Sequence, residues 1–305
     1  MGSGGELLIA STVDDDLAWV LAELESLEAC WSRFRSESEL TALNESTRAR
    51  IAVTPMLMQA LHHAVQAWRL TDGWFDPTLL PALRAAGYTK SIQGTLETDR
   101  IMQALANGDD DAFTPDEVRT CDRVTLDLCH GIVERPPGTA FDLGGIGKGL
   151  AADLLTETLL SRGAHSTFVS MGGDVRVGGP PPENGWDVPV QDDDGSVLFT
   201  ARIREGALAA SSVGTRRWRS GDAWQHHLIN PRTLQPSESD VRLAVVCAAE
   251  TWWAETLAKV CVLAGSEVAN ELLSRHGIEG WVVAYESCEV IPIGVATRTA
   301  TRRTA

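Results

Sequence analysis

The residues with the clearest chemical purpose run from Phe141 to Asp153, in the order Phe-Asp-Leu-Gly-Gly-Ile-Gly-Lys-Gly-Leu-Ala-Ala-Asp. Gly144, Gly145, Gly147 and Gly149 allow a backbone to approach a ligand closely, while Lys148 and the N-terminus of the helix that follows favour an anion. A phosphate-rich ligand suits that combination. Two familiar phosphate loops are excluded by spacing. In the pattern G-x-x-x-x-G-K-[ST], the leading glycine would fall on Asp142 and the hydroxyl residue on Gly149. Nor does a G-x-G-x-x-G pattern open a strand-turn-helix unit here, so a Rossmann dinucleotide site is unsupported. Taken alone, the segment is also what a structural glycine turn before a helix looks like.

Such a ligand has to be held against an unfavourable overall charge. With 26 Lys and Arg against 42 Asp and Glu, the formal charge is −16. That balance opposes nucleic-acid binding, which depends on clustered cations releasing counterions. It also repels anionic small molecules, so the site needs a local cation or helix N-terminus of its own. No apolar run reaches the roughly 18 to 20 residues of a membrane span, and no basic region followed by an apolar core opens the chain. Cys30, Cys121, Cys129, Cys247, Cys261 and Cys288 form no C-x-x-C pair and sit mostly in apolar periodic stretches. Reduced thiols, a cytoplasmic location and no membrane insertion are the expectations.

The positioning elements are legible by their periodicity. Leu17, Val20, Leu21, Leu24, Leu27, Trp31 and Phe34 follow an Asp14-Asp15-Asp16 start and predict an amphipathic helix. Thr54 and Pro55 read as the cap and first position of a second helix that stops near Thr71-Asp72-Gly73. A third follows the glycines and ends at Arg162-Gly163. Strands are expected at 123–128, 167–171, 186–191, 197–203, 241–247 and 281–285, with helices at about 249–263 and 267–275. The order is α+β rather than a βαβ alternation. Residues 1–296 read as one α+β domain and 297–305, rich in Thr and Arg, as a frayed tail.

Asp142-Leu143-Gly144-Gly145-Ile146-Gly147-Lys148-Gly149 with Asp153 resembles the DLGGIxKGxxxD signature of the ApbE family, the FAD:protein FMN transferases. Other pieces follow in that family's order. Met1-Gly2-Ser3 is similar to its MGT opening, and Trp31-Ser32-Arg33-Phe34 with Ser38-Glu39-Leu40 and Asn44 resembles MSTYxxxSExSxxN. Phe75-Asp76-Pro77-Thr78 matches FDPT, and Met171-Gly172-Gly173-Asp174 matches the GGD turn. Ala210-Ser211-Ser212 stands where the family has ATS, and His227-Leu228-Ile229-Asn230-Pro231-Arg232-Thr233 resembles HIIDPRT. The resemblance implies a two-lobed α+β fold with FAD in a cleft between lobes. It implies transfer of FMN to a Ser or Thr hydroxyl of an acceptor flavoprotein carrying an FMN-binding domain, with release of AMP. By the same resemblance Met1, Phe34, Asn44, Phe75, Asp76, Pro77, Asp142, Gly145, Lys148 and Ile229 contact FAD. His227 takes the incoming hydroxyl proton, and Lys148 is the catalytic cation. On periodicity alone Phe34 is equally a core residue closing the first helix stripe, and His226 beside His227 competes for its role.

The departures are concentrated at the metal site. The family holds Mg2+ with a backbone carbonyl, here that of Gly145, and with an Asp and a Thr on a later helix. Glu255 stands at the Asp position and Lys259 at the Thr position. At that spacing the two make an ordinary helix ion pair; the functional alternative is that the Lys259 ammonium, oriented by Glu255, replaces the metal charge. Asn230 replaces a further family carboxylate. Besides transfer, these changes leave open a non-catalytic FAD-binding protein and an FAD pyrophosphatase.

Overall fold

The computed structural model describes residues 4–10, 16–88, 115–214, 217–220, 223–285 and 289–295. Met1, the 109–111 acidic run, Cys288 and the 297–305 tail lie outside them. The chain divides into two compact units, one built mainly on Glu25–Gly147 and Arg216–Ser237, the other on Ser3–Leu24, Lys148–Thr215 and Glu238–Ala305.

The first unit is mainly helical. The first helix of the chain, α1 (Asp16–Trp31), ends in it and is followed by α2 (Glu39–Glu45), α3 (Pro55–Leu70), α4 (Leu80–Ala85) and α5 (Pro115–Val118). Ser38 caps α2, its hydroxyl accepting from the Thr41 N–H at 3.0 Å. Thr54 caps α3 ahead of Pro55, as its residue types predict. Glu39 locks the two caps together by accepting from the Thr54 N–H at 2.6 Å. Short strands β2 (Arg50–Ala52), β3 (Thr125–Asp127) and β4 (Ile132–Glu134) form a sheet in the order β2-β4-β3. The strand expected at 123–128 is cut short because Cys121–Arg123 turns as a 3-10 helix. A hairpin of β10 (Arg217–Ser220) and β11 (Ala223–His226) completes the unit.

The second unit carries a seven-stranded antiparallel sheet in the order β1-β5-β6-β9-β12-β13-β14. Its strands are β1 (Gly5–Ala10), β5 (Ser166–Met171), β6 (Asp174–Gly178), β9 (Gly206–Ser212), β12 (Val241–Ala248), β13 (Glu279–Ala284) and β14 (Val290–Gly294). A separate hairpin, β7 (Trp186–Gln191) with β8 (Val197–Ile203), buries Val188, Val190, Ala201 and Ile203 on one face, the period-two pattern of a half-covered strand. The helices are α6 (Gly147–Ser161), α7 (Thr251–Ala264) and α8 (Ser266–His276). Helix α7 is apolar almost all round and accordingly buried. Its Ala254 packs on Ala207 and Ala209, where small side chains let helix and sheet approach.

One sequence expectation changes, and strand β9 is one the sequence did not announce. Helix α1 ends at Trp31, so Phe34 does not close its stripe and stands 39% exposed; Leu17 and Leu21, also assigned to that stripe, are each 60% exposed. Strand β9 reads Gly-Ala-Leu-Ala-Ala-Ser-Ser, with no β-branched residue to announce it. It is a strand because it pairs with β6 on one side and β12 on the other, a tertiary demand that outweighs propensity.

Candidate active-site elements

In the first unit, three separate segments fix the backbone just ahead of the glycines. Asn44 donates from Nδ2 to the Phe141 carbonyl at 2.9 Å, and its Oδ1 accepts from the Phe141 N–H at 2.7 Å. The Pro77 carbonyl accepts from the Asp142 N–H at 2.8 Å. Arg33 Nε meets Asp142 Oδ1 at 2.8 Å, with side chains only 4% and 16% exposed. Asn44 and Pro77, expected at the cofactor, thus act as braces that set the path of Phe141 and Asp142. Phe75 is likewise core, and its N–H donates to the Thr71 hydroxyl at 3.0 Å. Asp76 is different. Its Oδ1 accepts from the Thr78 N–H at 2.8 Å and the Thr78 hydroxyl at 2.6 Å, while Oδ2, though buried, finds no hydrogen-bond partner among the described residues. Burial pushes its pKa up, with Thr78 pulling the other way.

Arg33 and Tyr88 are the residues that sequence reasoning missed. The Arg33 guanidinium lies 4.1 Å from the Phe34 ring centre and 4.5 Å from that of Tyr88. Its Nη1 donates to the Tyr88 carbonyl at 2.9 Å. Tyr88 meets Phe34 edge-on at 5.7 Å and His227 at 6.3 Å, so Phe34, Tyr88 and His227 form a ladder of rings pinned by one cation. A basic residue at the end of an apolar helix stripe was the available signal, since a buried arginine needs a carboxylate. We expect Arg33→Met to leave Asp142 without its partner and cost about 3 kcal/mol, the order of a broken buried pair. Arg33→Lys should fall between, keeping charge but not the planar stack; thermal melts of both variants check this.

Around His227 the neighbouring groups are spoken for. Ile229 is buried against Leu79, Leu83 and Tyr88. The His226 ring faces the Ser237 carbonyl with Nε2 at 3.0 Å and accepts from the Leu228 N–H through Nδ1 at 3.3 Å. Arg232 stacks over Trp74 at 4.0 Å. Asn230 closes a turn: its Oδ1 accepts from the Arg232 N–H at 2.8 Å, a role that Asn serves as well as Asp.

In the second unit, the first turn of α6 faces α7. Lys148 Nζ donates to Asp174 Oδ2 and, at 2.6 Å, to Glu255 Oε1. Glu255 Oε2 accepts from the Gly149 N–H at 2.8 Å, and Asp174 Oδ1 from the Ala210 N–H at 3.3 Å. Burial alone would lower the Lys148 pKa, but the two carboxylates reverse this and raise it. For Asp174, burial dominates and pushes the carboxyl up against the pull of Lys148. Asp153 caps α7, accepting from the Thr251 N–H and hydroxyl at 2.9 and 2.8 Å and from the Trp252 N–H at 2.9 Å. Arg176 Nε stands 3.1 Å from it.

The anions that Lys148 meets in this structure are the protein's own carboxylates. Glu255 accepts through both oxygens, from Lys148 and from the Gly149 N–H, and Lys259 lies half-buried one turn further along α7. The donor set consequently does not fit Mg2+: one family ligand position carries an ammonium, and the other a carboxylate already neutralised. Among the described residues no group of three or more His, Cys, Asp or Glu could hold a metal ion.

A helix-led unit with a braced glycine segment and a second unit carrying a seven-stranded antiparallel sheet define a two-unit α+β protein. The chain belongs to the ApbE family, whose model matches residues 1–282. It is 25% identical over 277 residues to the FAD:protein FMN transferase of Treponema pallidum (strain Nichols), covering 87% of this chain and 75% of that one. It is 25% identical over 250 residues to the enzyme of the same name from Vibrio cholerae, covering 80% and 72%. Among solved structures it resembles the apbE protein of Thermotoga maritima, with a TM-score of 0.82 at 21% identity over 98% of this chain and 96% of that one. It also resembles the flavin transferase ApbE of Vibrio cholerae, with a TM-score of 0.76 at 20% identity over 98% and 96%.

Proposed function

We propose that this protein is an FAD:protein FMN transferase, moving FMN from FAD to a Ser or Thr hydroxyl of an acceptor flavoprotein with an FMN-binding domain. Family membership and the named relatives support the reaction class. The observation that carries it to this chain is the ring ladder, which fixes an exposed aromatic face at Phe34 and an imidazole at His227 in one body. Phe34 offers a stacking surface for the isoalloxazine, and the unpartnered Asp76 Oδ2 offers an acceptor for a donor on the cofactor. Asp142, Gly145 and Ile229 complete the proposed contacts, with Asn44, Phe75 and Pro77 as their frame.

In the reaction the acceptor oxygen bonds to the phosphorus of the FMN half, the bond from that phosphorus to the AMP oxygen breaks, and AMP leaves. His227 removes the proton of the attacking hydroxyl. Charge growing on the phosphoryl oxygens has to be met by fixed dipoles, and the N-terminus of α6 follows the braced Phe141–Asp142 backbone in the chain. Because that recognition is of phosphates, FAD should bind at least tenfold more tightly than riboflavin, about 1.4 kcal/mol, in fluorescence titrations; equal affinities would remove the phosphate contacts.

The transfer itself is tested by incubating the protein with FAD and a candidate FMN-binding domain and measuring AMP and covalent flavin. AMP without covalent flavin would make it a pyrophosphatase. A second reading, an FAD-binding protein that does not transfer, is favoured by the commitment of Glu255 to Lys148, and neither product would form. We assign the cytoplasm as its location: the described cysteines are free thiols, and no described helix is long and apolar enough to cross a membrane.

A further inference from the structure

The family's ligand position on α7 and the family's glycine-segment lysine meet each other here. Aspartate at 255 would end one methylene sooner; Glu255 reaches the Lys148 ammonium at 2.6 Å and the Gly149 N–H at 2.8 Å. Asp174 comes to the same ammonium from β6. Each of the four carboxylate oxygens has a protein donor: Lys148 for Asp174 Oδ2 and Glu255 Oε1, Ala210 N–H for Asp174 Oδ1, Gly149 N–H for Glu255 Oε2. The side chains of Lys148, Asp174 and Glu255 are only 15%, 1% and 6% exposed. A hard divalent cation needs about six oxygen ligands and would have to enter against a buried positive charge.

We propose that Lys148 is the resident cation of the Asp174–Glu255 pair, that the pair therefore binds no divalent metal in this protein, and that removing the ammonium uncovers a latent divalent-cation site. The two carboxylates already converge on one point, because both contact a single nitrogen atom. Vacating that point leaves two buried negative charges at close range. This is a strongly unfavourable arrangement that a small, hard dication relieves. The inference deepens the transfer reading but does not depend on it, since it concerns the protein without FAD or acceptor.

The test is a titration with Mn2+ alone, followed by the electron paramagnetic resonance signal of free Mn2+, on the full chain. The natural protein is expected to bind no Mn2+ at protein-stoichiometric concentrations. Lys148→Met should bind one Mn2+ at least tenfold more tightly than the natural protein, and Lys148→Met with Glu255→Gln should lose it. Lys148→Arg, which keeps the charge, should remain metal-free. The proposal is overturned if the natural protein binds stoichiometric Mn2+ that Glu255→Gln abolishes, or if Lys148→Met melts cooperatively yet binds none. Should Lys148→Met fail to fold, Lys148→Gln, which also removes the charge, is titrated in its place with the same two outcomes. Absence of FMN transfer by the natural protein with the Mn2+ results intact would count against the transferase reading and leave this one standing.

Discussion

His227→Ala is expected to lower FMN transfer by about 10²- to 10⁴-fold, the usual contribution of a positioned general base, with FAD affinity nearly unchanged. In the proposed reaction the base acts on the acceptor's proton, whereas the proposed FAD contacts are groups the substitution leaves in place. His226→Ala is the informative contrast. Both its ring nitrogens are engaged within the fold, by the Ser237 carbonyl and the Leu228 N–H, and burial lowers its pKa. Its loss should appear as about 1 kcal/mol of stability and only a modest change in rate. The sign of its pH dependence follows. A histidine whose folded pKa is depressed contributes stability that is present above the unfolded value of about 6.5 and is lost as pH falls below it toward the folded value. His226→Ala should therefore flatten the acid side of the stability profile. If the two variants lost transfer equally while melting normally, the division of roles between these neighbours would be wrong.

Gly149→Ala is expected to be strongly destabilising, because the added methyl group meets backbone. A Cβ there would lie 2.6 Å from both the carbonyl carbon and oxygen of Thr251 and 2.7 Å from the Trp252 nitrogen. These are backbone atoms at the start of α7, and Asp153 holds that start in place, so nothing nearby can yield. Forcing α6 and α7 apart should cost about 3 kcal/mol, lowering Tm by roughly 6 to 12 °C for a unit of this size. Gly147→Ala, whose Cβ would meet Leu143 and Trp31 at an ordinary 4.0 Å, should be close to neutral. Thermal melts of the two variants separate packing from ligand approach: if Gly149 served the ligand, its replacement would weaken FAD binding and leave Tm alone.

That contrast shows where sequence reading reached and where it stopped. Period and capping chemistry located α3, α6, α7 and the β7–β8 hairpin, because their burial is written in their own residues. The glycine segment was recognisable as a motif, but its spacing does not say which glycine makes room for a helix and which for a ligand. Only the approach of Thr251 to Gly149 decides that. Asn44 and Asp153 carry the same lesson, since their partners, Phe141 and Thr251, lie far off in the chain. The spacing of Glu255 and Lys259 on α7 does not show that Glu255 bonds Lys148 and Gly149 on another helix. Arg33 went unread because its carboxylate, Asp142, was assigned to the ligand.

The cap that Asp153 provides has a consequence for how this family is recognised. Of the signature Asp142 to Asp153, the last acid fastens the N-terminus of α7 and Gly149 admits that helix, so both answer to folding before they answer to flavin. A descendant of this chain that had ceased to move FMN would keep them for as long as it folded, and would still be matched by its signature. On the proposed mechanism, the ring at Phe34 and the imidazole at His227 are where retirement from catalysis would first be visible.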